Sequence, residues 1–260
     1  MADLKFLHFS SLQQISGLRH ALTTRAGGTS EGAHSSLNLG YHVGDDAARV
    51  TENRRRLAEA LGYDGSTLVA AQQVHGAQVH IVEPQDRGRG AFGWDDALPD
   101  NDALVQAHSQ TPVLILVADC APLLLVDPEH GVLAVVHAGW RGAVAGVTSA
   151  TLNCMAQYFQ TDAREVWVGI GPCLCSDCFE IGPEVAAEVA PVAPQAVLRG
   201  VSKPHLDLRA VLQSDLQRAG VAPEHIEALP DCPRCQPERF FSHRGQAGTA
   251  GRFGLVAWWE

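Results

Sequence analysis

The sequence predicts a mixed α/β (α+β) protein in which mixed β-sheets are covered by helices. Continuous apolar, β-rich runs in the middle of the chain are typical of strands that are buried on both faces. Segments with apolar residues at helical spacing lie before and after these runs. Strands and helices do not alternate strictly, which indicates mixed sheets. The 260-residue chain is 46% hydrophobic and 18% charged, so it is long and apolar enough to bury a core.

The overall charge argues against nucleic-acid and membrane partners. Lys and Arg number 19 against 29 Asp and Glu, and the formal net charge of −10 repels phosphate-rich surfaces. The longest apolar run, Pro112–Ala118, is far shorter than the ~20 residues that a membrane-spanning helix needs. The first residues lack a basic segment followed by an apolar stretch. We therefore expect a cytoplasmic protein whose cysteines stay reduced.

The first half of the chain is expected to hold one helix and two short strands. Asp46–Leu61 is a predicted helix, because its first residue suits an N-cap, apolar residues recur on one face and Gly62 ends the pattern. Thr67–Gln72 and Gln78–Val82 are predicted strands around a turn. Glu83–Asp100, interrupted by Gly and Pro, is expected to form a long exposed loop that acts as a mobile lid.

The centre of the chain gives the clearest strand predictions. Pro112–Ala118, Pro122–Val126 and Val132–Val136 are continuous β-rich runs, and the last two are joined by a turn at Asp127–Gly131. Helical spacing then continues to about Phe159. The remaining elements are predicted strands at Val166–Ile170 and Leu255–Trp259 and predicted helices at Pro183–Val189 and Leu206–Ala219. No repeat or long linker interrupts the chain, so residues 1–260 are expected to form a single domain.

Two His and one Cys form the candidate metal centre. His75 ends a predicted strand, Cys120 follows the most buried strand, and His137 ends a later strand and opens a Gly-rich turn. Such strand ends are where α/β proteins place reacting groups. Two imidazoles and one thiolate leave the fourth position of a Zn²⁺ ion open for water or substrate, as in catalytic sites. From spacing alone, the alternative is open that these are ordinary core or surface residues.

Motifs around these three residues resemble those of a known family. Gln73–Gly76, Ala118–Pro122 and above all His137–Gly142 resemble the YfiH family, also called laccase-domain or multicopper polyphenol oxidase-like proteins. Further motifs that look like those of the family are Thr23–Ser30, Ser36–Gly40, Val43–Asp46, Gly169–Pro172, Phe179–Gly182 and Arg239–Arg244. The resemblance covers nearly the whole chain, and ordered motifs of this length rarely coincide by chance.

The resemblance implies a fold, a metal and an activity. The fold is a layered α/β/β/α arrangement in which His75, Cys120 and His137 bind zinc, with Cys120 and His137 also acting in catalysis. The activity is a purine nucleoside phosphorylase that uses adenosine, inosine and methylthioadenosine, with adenosine deamination as a side activity. Purine nucleoside and phosphate are then the partners. Bacterial members are also named peptidoglycan editing factor, and an older name is copper-dependent laccase.

The residues themselves disfavour laccase chemistry. A multicopper oxidase needs paired His-x-His segments for its copper cluster and a Cys, His and Met centre for electron transfer. No His-x-His occurs among the 12 His of the chain, and the chain has two Met. Adventitious copper binding is still expected, because copper stands at the top of the affinity order for such ligands.

Phosphorolysis requires an anion-binding site and a group that orients ligands or takes a proton. Arg25, beside a Gly pair, is predicted to form a phosphate cradle, and Asn38 on the next turn is predicted to bind ribose or phosphate. Arg141 begins a helix, where the dipole favours anions. Asp119 is predicted to orient a metal ligand or accept a proton, with capping of the strand-end turn as the alternative. A solvated surface charge is the alternative for each Arg, and Arg252 is a weak candidate because an extra residue interrupts the family pattern around it.

Two other functions use different chemistry. Cys120 as a nucleophile with His137 as its base would make a cysteine hydrolase that acts on cell-wall precursors. A non-enzymatic binding factor in cell-wall editing is the third hypothesis. Metal and nucleophile roles compete for one thiolate, so chelator inhibition with rescue by zinc favours the phosphorylase. Activity that resists chelators and is lost on alkylation favours the hydrolase.

The remaining cysteines allow a second metal site. Cys175–Cys178 and Cys232–Cys235 are CxxC pairs with the spacing of zinc ribbons, and Cys173 precedes the first pair. The pairs lie 54 positions apart (178 to 232), which is longer than a compact ribbon uses. Free thiols or an occasional disulfide are therefore the favoured interpretation. The preferred purine and the oligomeric state stay open.

Overall fold

The computed structural model describes residues 3–199 and 202–260 as strands and helices joined by turns and loops. The strands are β1 (Phe6–Leu7), β2 (Leu18–Thr23), β3 (Val69–Ala70), β4 (Val79–Ile81), β5 (Ala103–Gln106), β6 (Val113–Val117), β7 (Ala121–Asp127), β8 (Val132–Ala138), β9 (Trp167–Ile170), β10 (Val197–Leu198), β11 (His205–Leu206), β12 (Ile226–Ala228) and β13 (Phe253–Trp259). The α-helices are α1 (Ala47–Leu61), α2 (Trp140–Val144), α3 (Val147–Phe159), α4 (Pro183–Val189) and α5 (Leu208–Arg218). None of the described helices has both the length and the apolar character needed to cross a bilayer.

Two stacked sheets lie between two layers of helices, which confirms the expected layered α/β/β/α architecture. The five-stranded sheet has the order β1-β2-β13-β6-β3, and the six-stranded sheet has the order β12-β9-β7-β8-β5-β4. Each sheet contains both parallel and antiparallel pairs, as the sequence predicts. α1 packs on the outer face of the five-stranded sheet, and α3 and α5 pack on the outer face of the six-stranded sheet.

Strand β7 shows how the sequence builds this stack. Leu124 and Val126 belong to the apolar core between the two sheets. Leu123 and Leu125 belong to the core on the other face, together with Met155 of α3. All five side chains are fully buried. Because successive side chains of a strand point to opposite faces and both faces are covered, the sequence is a continuous apolar run instead of an alternating one.

Strand pairing brings three distant segments to one edge of the molecule. β7 and β8 are antiparallel with Pro122 opposite His137, so Cys120, directly before β7, lies near the end of β8. β3 and β6 are parallel, and their carboxyl ends therefore lie at the same edge. The segment after β3 carries His75, and the segment after β6 carries Cys120. The fold thus places all three candidate ligands at the same edge.

Helix α1 begins and ends where the sequence predicts. The Asp46 side chain caps the first turn by accepting the N–H of Ala48 at 2.8 Å. Gly62 ends the helix in the left-handed conformation, with φ +79°. Val50 and Leu57 are fully buried. Leu57 belongs to the apolar cluster between the helix and the five-stranded sheet. Capping and amphipathic spacing were therefore sufficient to predict this element.

The segment from Glu83 to Asp100 is anchored, which corrects the expectation of an exposed lid. Ala91 is 1% exposed and Leu98 is 2% exposed. Arg54 of α1, itself buried, donates to the carbonyl oxygen of Gly90 at 2.5 Å and to that of Ala91 at 3.2 Å. A buried guanidinium needs such acceptors. This contact therefore ties the segment to the helix.

Gly169 of β9 lies against a core phenylalanine, and its replacement tests the packing there. A Cβ at position 169 would lie 2.4 Å from ring atoms of the fully buried Phe9. Gly169→Ala is expected to lower the free energy of unfolding by about 1–3 kcal/mol, the usual cost of overpacking a core. Chemical denaturation measures the difference. Gly93→Ala is the matched control, because its Cβ would meet only Asp96 Oδ1 at 3.6 Å; equal stabilities for all three proteins would contradict this packing.

Candidate metal centre

His75, Cys120 and His137 converge at one edge of the stacked sheets. The candidate ligand atoms of these three side chains all lie within 4.8 Å of one another. The two imidazole rings stand edge to face with their centroids 4.7 Å apart. His137 is buried, Cys120 is half-buried and His75 is exposed, so the group is accessible from one side. Two nitrogen donors and one sulfur donor at this spacing can hold a tetrahedral ion with one position left open.

A buried carboxylate orients both His residues of this group. Asp102, which directly precedes β5, is 0% exposed. His137 donates from Nδ1 to Asp102 Oδ1 at 2.7 Å, which leaves Nε2 as its donor atom for a metal. The backbone N–H groups of His75 and Gly76 donate to the same carboxylate at 2.9 and 2.7 Å. A carboxylate behind a metal-binding His fixes the tautomer and the orientation of the ring.

Asp102 remains ionised in this buried position. Burial raises its pKa, but the hydrogen bonds from His137, Gly76 and His75 lower the pKa by a larger amount. The net shift of the pKa is therefore downward. Asp102 was not among the residues predicted from the sequence. The signal that could have found it is a carboxylate placed directly before a buried strand, in a chain that already offers a candidate metal-binding His.

Cys120 and His137 influence each other's protonation. Burial alone raises the pKa of the Cys120 thiol, but the charge of His137 and hydrogen bonds from both His residues bring that pKa below its ordinary value. Burial alone lowers the pKa of His137, and the Cys120 thiolate with the Asp102 carboxylate raises it above its ordinary value. The site therefore favours a thiolate, the form of Cys that binds metals. A cation placed between the three donors would replace the proton on His137.

Gly139 permits the close approach of two candidate ligands. A Cβ at this position would lie 3.0 Å from Cys120 Sγ and 3.0 Å from His75 Cδ2. A Cβ at Gly142 would lie 2.8 Å from the carbonyl oxygen of Gly76. The two glycines of the His137–Gly142 motif therefore leave room for the ligand group and for the turn that carries His75.

A cavity of about 590 Å³ opens over the candidate centre. This volume is within the range of small-molecule sites, about 300–1,000 Å³. Its lining includes the three candidate ligands, the apolar side chains Leu116, Val117, Leu174, Phe179, Ile181, Val185 and Leu208, and the polar side chains His42, Gln73, Glu180, Glu184 and His243. A larger cleft of about 910 Å³ beside Tyr63 and Trp258 contains none of the three candidate ligands. Because the cavity of about 590 Å³ combines the three donors with an apolar wall, it is the candidate substrate site.

Three arginines line this cavity. Arg141 is exposed and stacks over Trp140 at 4.5 Å, and in the described part of the chain its guanidinium donates to no protein acceptor. Arg244 lies over the Phe179 ring at 5.0 Å and donates to the carbonyl oxygen of Glu180. Arg252 donates to two backbone carbonyls and keeps further N–H groups. The sequence predicted Arg141 and ranked Arg252 as weak, while Arg244 was visible only as part of a family motif.

The structure does not place Arg25 or Asn38 against the cavity. The Arg25 guanidinium donates to the carbonyl oxygens of Ser35 and Pro237, each at 2.8 Å. Asn38 is fully buried and donates to Asp45 Oδ2 at 2.8 Å. Its Oδ1 accepts the backbone N–H of Arg252 at 2.8 Å. These two side chains bind protein groups, and Asn38 thereby supports the segment that carries Arg252.

Asp119 contacts a loop and not the His ligands. Its Oδ1 accepts the hydroxyl of Ser242 at 2.6 Å, and its Oδ2 accepts the backbone N–H of Arg244 at 2.6 Å. The residue adopts φ +93°, a strained turn conformation next to Cys120. Asp119 therefore holds the loop of Ser242 and Arg244 at the cavity wall, and the orienting contact to His137 comes from Asp102 instead.

Comparison with known proteins identifies the family. A family model described as multi-copper polyphenol oxidoreductase laccase matches residues 19–260. The chain belongs to this family. The match confirms the resemblance on which the sequence analysis relied, and it covers all three candidate ligands.

Relatives of this laccase-like family with curated names resemble the chain over nearly its whole length. Purine nucleoside phosphorylase YlmD of Geobacillus stearothermophilus is 36% identical over 243 residues, which cover 92% of this chain and 89% of the relative. A purine nucleoside phosphorylase of Streptomyces coelicolor is 39% identical over 247 residues, which cover 94% of this chain and 96% of the relative. A protein named adenosine deaminase, from an unknown prokaryotic organism, is 35% identical over 257 residues, covering 97% of each chain.

Solved structures of the family have the same fold. The hypothetical protein YfiH of Bacillus licheniformis matches with a TM-score of 0.94 at 29% identity, over 98% of this chain and 96% of that one. YlmD of Geobacillus stearothermophilus matches with a TM-score of 0.91 at 34% identity, over 95% of this chain and 93% of that one. The mixed α/β class predicted from the sequence is therefore shared with known members.

Proposed function

We propose that the protein is a purine nucleoside phosphorylase whose three-donor centre holds Zn²⁺, with adenosine deamination as a side activity. The observation that carries the proposal is the group of His75, Cys120 and His137 at the base of an open cavity. The names of the relatives support it, since they are purine nucleoside phosphorylases and one adenosine deaminase. Purine nucleoside and phosphate are accordingly the proposed substrates.

The donor set suits zinc. Imidazole and thiolate are common zinc ligands, and catalytic zinc sites have three protein ligands with a fourth position open. His137 is held for this role by Asp102. A bound zinc ion supplies a Lewis acid that polarises an oxygen or lowers the pKa of a water molecule. Both the phosphorolysis and the deamination of nucleosides can use such a centre.

The cavity offers separate environments for the two substrates. The apolar side chains of Leu174, Phe179 and Ile181 form a wall against which a purine base can pack. Arg141 and Arg244 provide guanidinium groups that can bind phosphate oxygens in pairs. Burial, with Arg252 and Arg54 nearby, lowers the pKa of His42 to about 4, so this residue faces the cavity as a neutral imidazole near pH 7.

The donor groups also bear on the copper interpretation that the family description suggests. Within residues 3–199 and 202–260, His, Cys and acidic side chains converge in two groups of three and four, each compact enough for a single ion. A multicopper oxidase uses several copper ions that are bound by paired His segments. The residues therefore support a mononuclear centre at this cavity and a phosphorylase over a laccase.

The contact between His137 and Asp102 also supports a second candidate function. A Cys nucleophile, a His base and a carboxylate that orients the His are the parts of a cysteine hydrolase. In this structure His137 contacts both other groups: it lies against the Cys120 thiol and donates to the Asp102 carboxylate. Chelation separates the two candidates. A zinc enzyme loses activity with a chelator and regains it with zinc, while a cysteine hydrolase does neither.

The deciding experiment is release of hypoxanthine from inosine by protein of known metal content. We expect the release to require phosphate, to stop after chelation and to return when zinc is added. Chelator-treated protein that is given back only copper serves as the metal control. Metal-loaded protein that releases no hypoxanthine in phosphate buffer would contradict the phosphorylase assignment.

Replacement of Arg141 tests the proposed phosphate contact. Arg141→Ala is expected to raise KM for phosphate by about 10- to 100-fold, since a charge-assisted hydrogen bond contributes about 1.5–3 kcal/mol. Metal content should stay at the wild-type level, because Arg141 is not a candidate ligand. Arg164→Ala is the matched control, because Arg164 is a surface residue paired with Asp162. An unchanged KM for phosphate in Arg141→Ala would exclude this contact.

A further inference from the structure

Four cysteines outside the cavity form a second group of donors. Cys175 and Cys178 come from one CxxC pair, and Cys232 and Cys235 come from the other. The four sulfur atoms all lie within 4.8 Å of one another. Cys178 Sγ is 3.4 Å from Cys235 Sγ, and Cys175 Sγ is 3.8 Å from the same atom. The sulfur atoms therefore face a common centre.

These distances fit a metal ion better than disulfides. A disulfide bond places its sulfur atoms at about 2.05 Å, and all seven cysteines of the chain are free. Four sulfur atoms at the corners of a tetrahedron around zinc, with bonds of about 2.3 Å, are about 3.8 Å apart. The observed separations of 3.4 and 3.8 Å are close to this value.

Parallel strand pairing explains why the long separation in sequence does not prevent the group. β9 and β12 pair in parallel, with Ile226 opposite Val168 and Ala228 opposite Ile170. Their carboxyl ends consequently lie side by side, and the chain after each strand carries one CxxC pair. The segment between the pairs contains α4, β10, β11, α5 and β12. The long separation in sequence is therefore compatible with a shared site in the folded chain.

We propose that Cys175, Cys178, Cys232 and Cys235 bind a second Zn²⁺ ion in a closed, structural site. Zinc binding displaces the four thiol protons into solvent and leaves a complex of four thiolates with a net charge of about −2. The backbone N–H of Cys175 donates to Cys232 Sγ at 3.4 Å, as groups around zinc thiolates commonly do. Arg234 donates to the carbonyl oxygen of Cys178 at 3.2 Å, which brings a compensating positive charge to the site.

The proposed ion links two segments that form the cavity wall. Leu174 and Phe179 flank the first pair and line the cavity, while His243 and Arg244 follow the second pair. Arg244 stacks over the Phe179 ring at 5.0 Å, so the two segments also touch at the cavity itself. Four protein ligands leave no open position, and the ion therefore supports the wall without contacting substrate. The proposed ion has this structural role whichever reaction takes place in the cavity.

Metal analysis of the full chain tests the proposal. Wild-type protein, purified under reducing conditions and with zinc present, is expected to contain two zinc ions per chain. Cys235→Ser should contain one zinc ion, because it loses the ion of the four-cysteine site. His137→Ala should also contain one zinc ion, because it loses the ion at the cavity. Cys154→Ser is the matched control and should contain two, because Cys154 belongs to neither group. An unchanged zinc content in Cys235→Ser would overturn the proposal, whereas a loss confined to His137→Ala concerns only the centre at the cavity.

A measurement on wild type alone covers the case in which a variant fails to fold. X-ray absorption at the zinc edge gives the average number of sulfur ligands per ion. The proposal predicts an average between two and three, since one ion has four sulfur ligands and the other has one. An average of one sulfur per zinc, or disulfides among these four cysteines in non-reducing mass spectrometry of freshly purified protein, would overturn it.

Discussion

Replacing His137 with alanine is expected to remove one zinc ion per chain and to lower phosphorolysis by at least about 100-fold. His137 is the buried donor of the centre and the one that Asp102 holds in place. The Lewis acid that is lost contributes several kcal/mol to the stabilisation of a transition state, and each 1.4 kcal/mol corresponds to about tenfold in rate. Metal analysis and phosphate-dependent hypoxanthine release from the same preparation measure both effects.

The other two donors provide parallel tests. His75→Ala and Cys120→Ala should give the same two losses, because each leaves two protein donors. His130→Ala is the matched control. His130 lies at the turn between β7 and β8 and donates to Asp127 at 2.8 Å, a His–carboxylate pair like that of the centre but remote from it. Full metal content in all three ligand variants would refute the assignment.

Asp102→Asn is expected to weaken zinc binding by about 10- to 100-fold, the usual effect of losing the carboxylate behind a His ligand. The amide cannot act as an anionic acceptor for the N–H groups of His137, His75 and Gly76 at once. The ring of His137 and the turn of His75 are then held less firmly. Competition with a chromogenic chelator measures the zinc affinity, and hypoxanthine release measures activity.

This variant also separates the two candidate functions. In a zinc enzyme, excess zinc should restore much of the activity of Asp102→Asn, because the defect is in affinity. In a cysteine hydrolase, the defect is in the base and added zinc should not help. Asp127→Asn is the matched control, since Asp127 is also buried and pairs with a His, but away from the centre. Wild-type zinc affinity in a folded Asp102→Asn protein would contradict the role given to Asp102.

Continuous apolar runs made the central strands predictable, and local composition could not reveal their partners. β6, β7 and β8 are buried on both faces, and such strands have continuous apolar sequences that can be recognised without knowing their partners. β2 and β5 were not predicted. β2 follows a segment rich in polar residues and pairs with β13 at the other end of the chain, and β5 has four residues. Strand formation there depends on partners distant in sequence. The single domain over residues 1–260 stays a prediction.

The three candidate ligands were predicted from the resemblance of their motifs to those of the YfiH family, because strand-end position and spacing alone left core or surface roles open. Asp102 was not, because its role depends on contacts to residues 26 to 35 positions away. Arg25 and Asn38 show the opposite case. Their sequence context resembles an anion cradle, but in the folded chain they donate to protein carbonyl and carboxylate oxygens and do not line the cavity. Which polar groups remain free for a ligand is decided by tertiary contacts.

A crystal structure with anomalous diffraction data collected on both sides of the zinc absorption edge tests the zinc centre most directly. We expect a zinc peak within bonding distance of His75, Cys120 and His137, about 2.0–2.3 Å, with the remaining coordination position facing the cavity. Crystals grown with phosphate should show the anion beside that position. A map without an edge-dependent peak between these three side chains, from zinc-loaded and active protein, would contradict the claim.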